Sequence, residues 1–428
     1  MTAFRSLKAA SVLTVGTLVI FACGGGAPAA SPTAAPTAAA TAAPTPVGEI
    51  IIASDFPTSG ADAASGLPAQ NGAAFAFQGT PTLKGFKLTF LPFDDAVNGV
   101  HDPQKGAQNA QQMVANTKVL GMVGPFNSSV ARAMIPVANR ASLVMISPAN
   151  TNECLTQTFP YCDPQPSALR PTGKNNYFRI AAPDTVQGPA MADFAFDTLK
   201  LTKIATFSDN ETFGKGVADN FDKRFKAKGG QIVVRQDFDM KTTNDFRPFL
   251  TRARDAGAQG IYSGTTSATK GCIPRAQSKG IIDNVPFMGP DGIQDSQCIK
   301  DAADQAKNIY ATVAAAEAAQ DPANNLVIQN YKVAFPKKED LGAYTFPAYD
   351  TAKILIDAVS RAIDANGGKI PTREQVLAAV VATKEFKGTT GVYTFDQNGD
   401  PTKPTMAFYE LKGTPPDWVF IKQFGVGQ

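Results

Sequence analysis

After residue 46, short unbroken apolar runs alternate with amphipathic stretches, and this rhythm constrains the fold more than any other feature of the chain. Ile50, Ile51, Ile52 and Ala53 open it, and a stretch of helical spacing over 67–77 follows. A run of about four to eight apolar residues suits a strand buried on both faces, as in a parallel sheet covered by helices. Further runs of this kind lie at 86–93, 119–123, 143–146, 203–207, 231–234, 260–262, 285–288 and 309–313. Between them Ala107, Ala110, Gln111 and Val114 keep helical spacing, as do Val217, Phe221 and Phe225. The pattern predicts an α/β fold of parallel sheets flanked by helices, with ligand sites beyond the carboxyl ends of the strands. At 428 residues the chain exceeds one ordinary domain of about 150, so two lobes and a cleft between them are expected. The final third is more helical, over 323–334, 345–365 and 372–382, with extended 391–395 after it. Strands at 406–411 and 418–423, joined through Gly413, Pro415 and Pro416, then read as a hairpin-like end.

Composition removes several function classes. Apolar residues at 43% against 18% charged exclude disorder of the whole chain. Forty basic against 37 acidic residues lack the clustered excess of a nucleic-acid footprint. The single histidine, His101, excludes a multi-His zinc site and leaves one imidazole for any Ser-His or Cys-His pair, so no catalytic residue is assigned. Asp94, Asp95, His101 and Asp102 fall within nine residues. Asp102-Pro103 nevertheless reads as a helix N-terminus and Asp94-Asp95 as a strand end, so neither metal nor cofactor is expected.

The N-terminus carries Arg5 and Lys8, then an apolar run from Ala9 to Ala22 that ends at Cys23 and three glycines. About 14 residues fall short of the ~20 needed to span a bilayer, which makes residues 1–22 a signal peptide. From Ala27 to Pro46 every residue is Ala, Pro or Thr apart from Ser31. Residues 23–46 thus read as a tether that builds no core and reaches up to roughly 70 Å in polyproline II form. The implied arrangement is an extracytoplasmic body held at a membrane face. With Cys23 set aside, Cys154, Cys162, Cys272 and Cys298 are an even set in an oxidising compartment. Three connectivities are open, of which the local one, Cys154 with Cys162 and Cys272 with Cys298, closes short loops worth ~2.5 and ~3.5 kcal/mol.

The body also carries, in order, SG at Ser59 and Gly60, FDDAVNGVHDPQKGAQNAQQMV from Phe93, VGPFNSS from Val123, ISPANTNECLT from Ile146, TVQGP from Thr185, SDNETFGKG from Ser208 and FMGPDG from Phe287. Their order and spacing resemble the substrate-binding proteins of branched-chain amino acid ABC transporters, the type I leucine/isoleucine/valine-binding family. The resemblance implies two Rossmann-like lobes joined by a three-crossover hinge, with lobe 1 at 47–181 and 314–391 and lobe 2 at 182–313 and 392–428. It places the crossings near Arg179 to Ala182, near Val313 and near Val392. The N-terminus resembles a bacterial lipoprotein signal, which implies lipidation of Cys23 in a lipobox of Ile20, Phe21, Ala22 and Cys23, ordinary secretory cleavage being the alternative; a monomer with a membrane permease as partner is expected.

Together with the residues, the resemblance implies a charge-matched clamp. VGPFNSS follows an apolar strand and enters a helix, so Ser128 and the adjacent N–H groups form a cradle for a carboxylate, or else Ser128 simply caps the helix. By resemblance, Ala149 offers its carbonyl to a ligand ammonium, Thr151 touches both charged ends, and Asp291 in FMGPDG pairs with the ammonium. Phe213 stands where relatives usually carry tyrosine, Thr265 where many carry an aromatic residue, and Ser65 where an aromatic residue helps cover the ligand side chain. The expected role is capture of a small zwitterion, an amino acid, for delivery to a permease. Rival readings are a receptor for an amide, urea-like or aromatic acid ligand, a sensory lipoprotein without transport, and a secreted hydrolase built on Ser128.

Overall fold

The computed structural model describes residues 46–425. The expected signal peptide, Cys23 and all of the expected tether except Pro46 lie outside the described residues.

Two sheets carry the architecture. The first contains β1 (Glu49–Phe56), β2 (Phe86–Asp94), β3 (Val119–Val123), β4 (Val144–Ser147) and β5 (Tyr177–Arg179), in the order β2-β1-β3-β4-β5. All five are parallel, and the short strand Thr82–Leu83 lies antiparallel on the outer edge of β2. The second sheet contains β6 (Lys203–Ser208), β7 (Gln231–Asp237), β8 (Gly260–Gly264), β9 (Phe287–Gly289) and β10 (Ile309–Val313), in the order β7-β6-β8-β9-β10. These strands are also parallel, and the antiparallel hairpin of β11 (Thr405–Lys412) and β12 (Asp417–Gly425) extends the sheet past β10. Both parallel halves thus follow one doubly wound order, which opens a crevice beyond the carboxyl ends where the winding reverses.

The apolar runs account for this directly. Every residue of β3, β4 and β8 is buried, because helices cover both faces of each sheet and leave no solvated side. Helices Ala63–Gln78 and Thr345–Ala365 pack on one face of the first sheet, around Ile52, Phe56, Val123, Leu355 and Val359. Their axes approach so closely that a Cβ on Gly72 would stand 1.9 Å from the Thr345 carbonyl oxygen, so only glycine fits that crossing. Helices Pro103–Ala115 and Ser128–Arg140 cover the other face through Met113, Val130 and Met134. On the second sheet, Asp184–Asp193 and Thr212–Ala227 cover one face with Met191, Phe221 and Phe225, and Phe249, Ile293 and Cys298 fill the other.

The disulfides are the local pair, Cys154–Cys162 and Cys272–Cys298, with Cα separations of 5.4 and 5.1 Å. Strand β5 is one element that the apolar pattern did not mark. It has three residues, and one of them is Arg179, which is fully buried and donates from Nε to Asp400 Oδ1 at 2.7 Å. Near Val392, where a crossing was expected, the chain is still packed on the first sheet. Tyr393 and Phe395 belong to its core, the Phe395 ring lies 5.1 Å from Phe178, and Arg179 N–H donates to the Gly399 carbonyl. The chain then enters β11 at Thr405. The other two passages run side by side, with Ala182 N–H donating to Ala314 O at 3.1 Å.

Candidate functional site

The connections that leave the carboxyl ends of β3, β4, β6, β8 and β9 carry Ser128, Ala149 with Thr151, Phe213, Thr265 and Asp291 respectively, Ser128 and Phe213 lying in the first turns of the helices that follow. These connections at strand ends supply most of the expected site because a parallel sheet directs all its carboxyl ends to one side.

On the first sheet, Ser128 is the first residue of helix Ser128–Arg140 and is buried. Its Oγ accepts a long 3.4 Å bond from Asn152 N–H, while N–H groups of the first helical turn have no intrahelical acceptor. Ser147 ties the neighbouring loops together: its hydroxyl donates to Pro125 O at 2.7 Å and accepts from Ala149 N–H at 3.2 Å and Asn150 N–H at 2.9 Å. That brace fixes Ala149 and Thr151 beside the Ser128 helix. Thr151 is 1% exposed, yet among the described residues its Oγ1 has no hydrogen-bond partner, nor does the Asn127 side-chain oxygen.

On the second sheet, Asp291 follows β9 and is buried. Its Oδ1 accepts from Gln187 Nε2 at 2.6 Å and its Oδ2 from the Tyr344 hydroxyl at 2.5 Å. Gln187 sits in the second sheet's helix Asp184–Asp193, whereas Tyr344 immediately precedes helix Thr345–Ala365 on the first. The Tyr344–Asp291 bond therefore spans the cleft. Burial raises the Asp291 carboxyl from 3.8 to about 6, and the Tyr344 and Gln187 bonds hold it from rising further. Burial and the Asp291 charge push the Tyr344 phenol up well above its ordinary value.

Phe213 lies against the Asp291 loop, so close that a Cβ on Gly292 would meet its ring at 2.9 Å and the Thr265 carbonyl at 2.6 Å. Thr265 itself is turned into the second sheet's loops, with Oγ1 2.7 Å from Ser263 Oγ and packed beside Gly271. Ser65 donates across the cleft to Asp295 Oδ2 at 2.8 Å. Asn152 Nδ2 also crosses, to Thr212 O at 2.9 Å, as does Asn220 Nδ2 to Glu153 Oε1 at 2.8 Å. Two crevices flank these contacts. One of about 630 Å³ is lined by Asp295, Glu317, Phe346 and Trp418, and one of about 600 Å³ by Asn152, Glu153, Tyr161 and Asn220. Neither is lined by Ser128 or Asp291.

In the acidic cluster near His101, Asp94 and Asp102 have separate structural tasks, whereas Asp95 is buried with neither carboxylate oxygen hydrogen-bonded among the described residues. Asp94 Oδ1 accepts from the N–H groups of Thr58 and Ala96, both at 2.9 Å, and Asp102 caps the next helix by accepting from Lys105 N–H at 2.7 Å. His101 Nδ1 lies 2.7 Å from Asp62 Oδ2, and Nε2 faces Glu211 Oε2, just before the second lobe's helix Thr212–Ala227, at 3.9 Å. Burial alone would lower the imidazole, but the two carboxylates outweigh it and hold His101 well above its usual range.

Gln187 and Tyr344, the two side-chain donors to Asp291, were not singled out by the sequence. Gln187 lies inside the TVQGP segment, which had marked only the resemblance. For Tyr344 the signal available was its place just before a long helix.

A sequence model of a periplasmic binding protein family matches residues 49–415. Among curated relatives, the leucine-, isoleucine-, valine-, threonine- and alanine-binding protein of Pseudomonas aeruginosa is 26% identical over 328 residues, covering 77% of this chain and 80% of the relative. Among solved structures, a leucine-binding protein from Thermotoga maritima superposes with a TM-score of 0.75 at 23% identity, over 88% of this chain and 98% of the other. A solute-binding protein of an R. palustris ABC transporter, in complex with benzoate, gives 0.71 at 19% identity, over 88% and 96%.

Proposed function

The chain belongs to the periplasmic binding protein family, and from that premise we propose that it is the extracytoplasmic receptor of an ABC importer, binding a small zwitterion between its two lobes and delivering it to a membrane permease. An amino acid of the branched-chain type is the reading that the names of its relatives support. The observation that carries it is a pair of buried polar ends on the two lobes: the helix N-terminus at Ser128 on one, and on the other the Asp291 carboxylate, which Tyr344 reaches across the cleft. A ligand carboxylate suits the first, since N–H groups and the helix dipole favour negative charge there. A ligand ammonium suits the second, because enclosure removes the screening that weakens an exposed ion pair.

Closure then acts as a population shift. Contacts made by both lobes stabilise the closed form, which a permease distinguishes from the open one. Lipidation at Cys23 would hold this body at the membrane as a monomer.

A thermal-shift series of the natural amino acids tests the reading. A true ligand at 100 times its dissociation constant adds about 2.7 kcal/mol to stability. Melting curves that stay flat across the series would overturn the amino-acid assignment.

A further inference from the structure

The cationic end of the cleft is already satisfied by the protein. Asp291 receives Gln187 Nε2 on one oxygen and the Tyr344 hydroxyl on the other, at 2.6 and 2.5 Å, with all three residues buried. We propose that the Tyr344 hydroxyl is a specificity determinant that lets the site admit small carboxylates lacking an ammonium group beside those that carry one. This rests on the reading of the cleft as a zwitterion site.

The argument turns on what each ligand leaves behind. A buried carboxylate oxygen without a donor is costly, so lobes that shut over a ligand with no ammonium should pay heavily at Asp291. Here they do not, because Tyr344 and Gln187 remain as donors. Gln187 cannot swing to cover both oxygens, since Nε2 is also 3.2 Å from Thr312 Oγ1. The Tyr344 ring is fixed independently of its hydroxyl by edge-on packing against Phe126, with centroids 5.5 Å apart. Tyr344→Phe therefore removes one donor and keeps the ring. An ammonium can replace that donor with a charge-assisted bond, and a ligand lacking one cannot.

The test compares leucine with 4-methylpentanoic acid, the same skeleton without the amino group, by calorimetry on wild-type protein and on Tyr344→Phe. Any effect on folding or lobe closure is common to both probes and cancels in the ratio of their dissociation constants. The ratio of acid to amino acid is expected to rise about tenfold or more in the variant, the size of a lost hydrogen bond to a charged group. An unchanged or smaller ratio overturns the inference. Gln187→Met removes the other donor, so it should move the ratio the same way and decides the matter if Tyr344→Phe does not fold. Wild-type protein that binds neither probe would overturn the zwitterion reading and this inference with it, whereas binding of both with a constant ratio would overturn the inference alone.

Discussion

On the first sheet, Ser128 holds only a 3.4 Å contact and the Thr151 hydroxyl has no partner among the described residues, whereas on the second sheet both oxygens of Asp291 are held by donors at 2.6 Å or less. The two walls come from the same strand order, and their difference lies in what the connecting helices bring to them. The first wall offers backbone N–H groups, which the helix geometry itself leaves free. The second offers a carboxylate, which cannot be buried alone and is therefore covered by Gln187 and Tyr344. The lesson is that an anionic end of a ligand meets prepared donors, while a cationic end must share or displace donors that already serve the protein.

The sharpest way to break this comparison is to remove the second wall's charge. Asp291→Ala is expected to weaken binding of an ammonium-bearing ligand by about 2 to 5 kcal/mol, as when one partner of a buried pair is lost. Unchanged affinity in titration calorimetry would take Asp291 out of the site. A smaller effect separates the walls by pH. Asp291 in the closed form titrates near 6, raised from 3.8 by burial, so ligand-free closure gains from its protonation below about pH 4 and loses that gain as pH rises through 6. An ammonium needs the ionised form and must expel that proton. Affinity for the amino acid should thus fall about tenfold between pH 7 and pH 5, with proton release seen as a dependence of binding heat on the buffer, at ~1.4 kcal/mol per pKa unit. A flat profile would mean that the free protein is open, with Asp291 in water. The smallest effect belongs to the first wall: Ser128→Ala should cost about 0.5 to 1.5 kcal/mol, since the N–H groups of the helix remain. A loss as large as that of Asp291→Ala would reverse the ranking of the two walls.

Much of the framework was legible in the chain. The runs at 119–123 and 309–313 coincide with β3 and β10, because a strand covered on both faces is written as a largely apolar run. Helix Thr345–Ala365 was equally plain from its length and spacing. Strand β5 was not, since Arg179 enters the interior only where Asp400, 221 residues later, arrives to meet it. Thr265 shows a different limit. Its place after β8 was sound, but its hydroxyl turned to Ser263, a choice set by local packing around Gly271.

Sequence alone determined the alternation of strand and helix, the loops that carry the polar residues, and the cysteines available to pair, for these depend on local periodicity and residue chemistry. Tertiary structure alone decided that Tyr344 and Gln187, 53 and 104 residues away, would be the donors to Asp291, and which cysteines joined. The reason is physical: a buried charge takes its partners from whatever the folded layers bring within about 3 Å, and that distance is not written in chain separation.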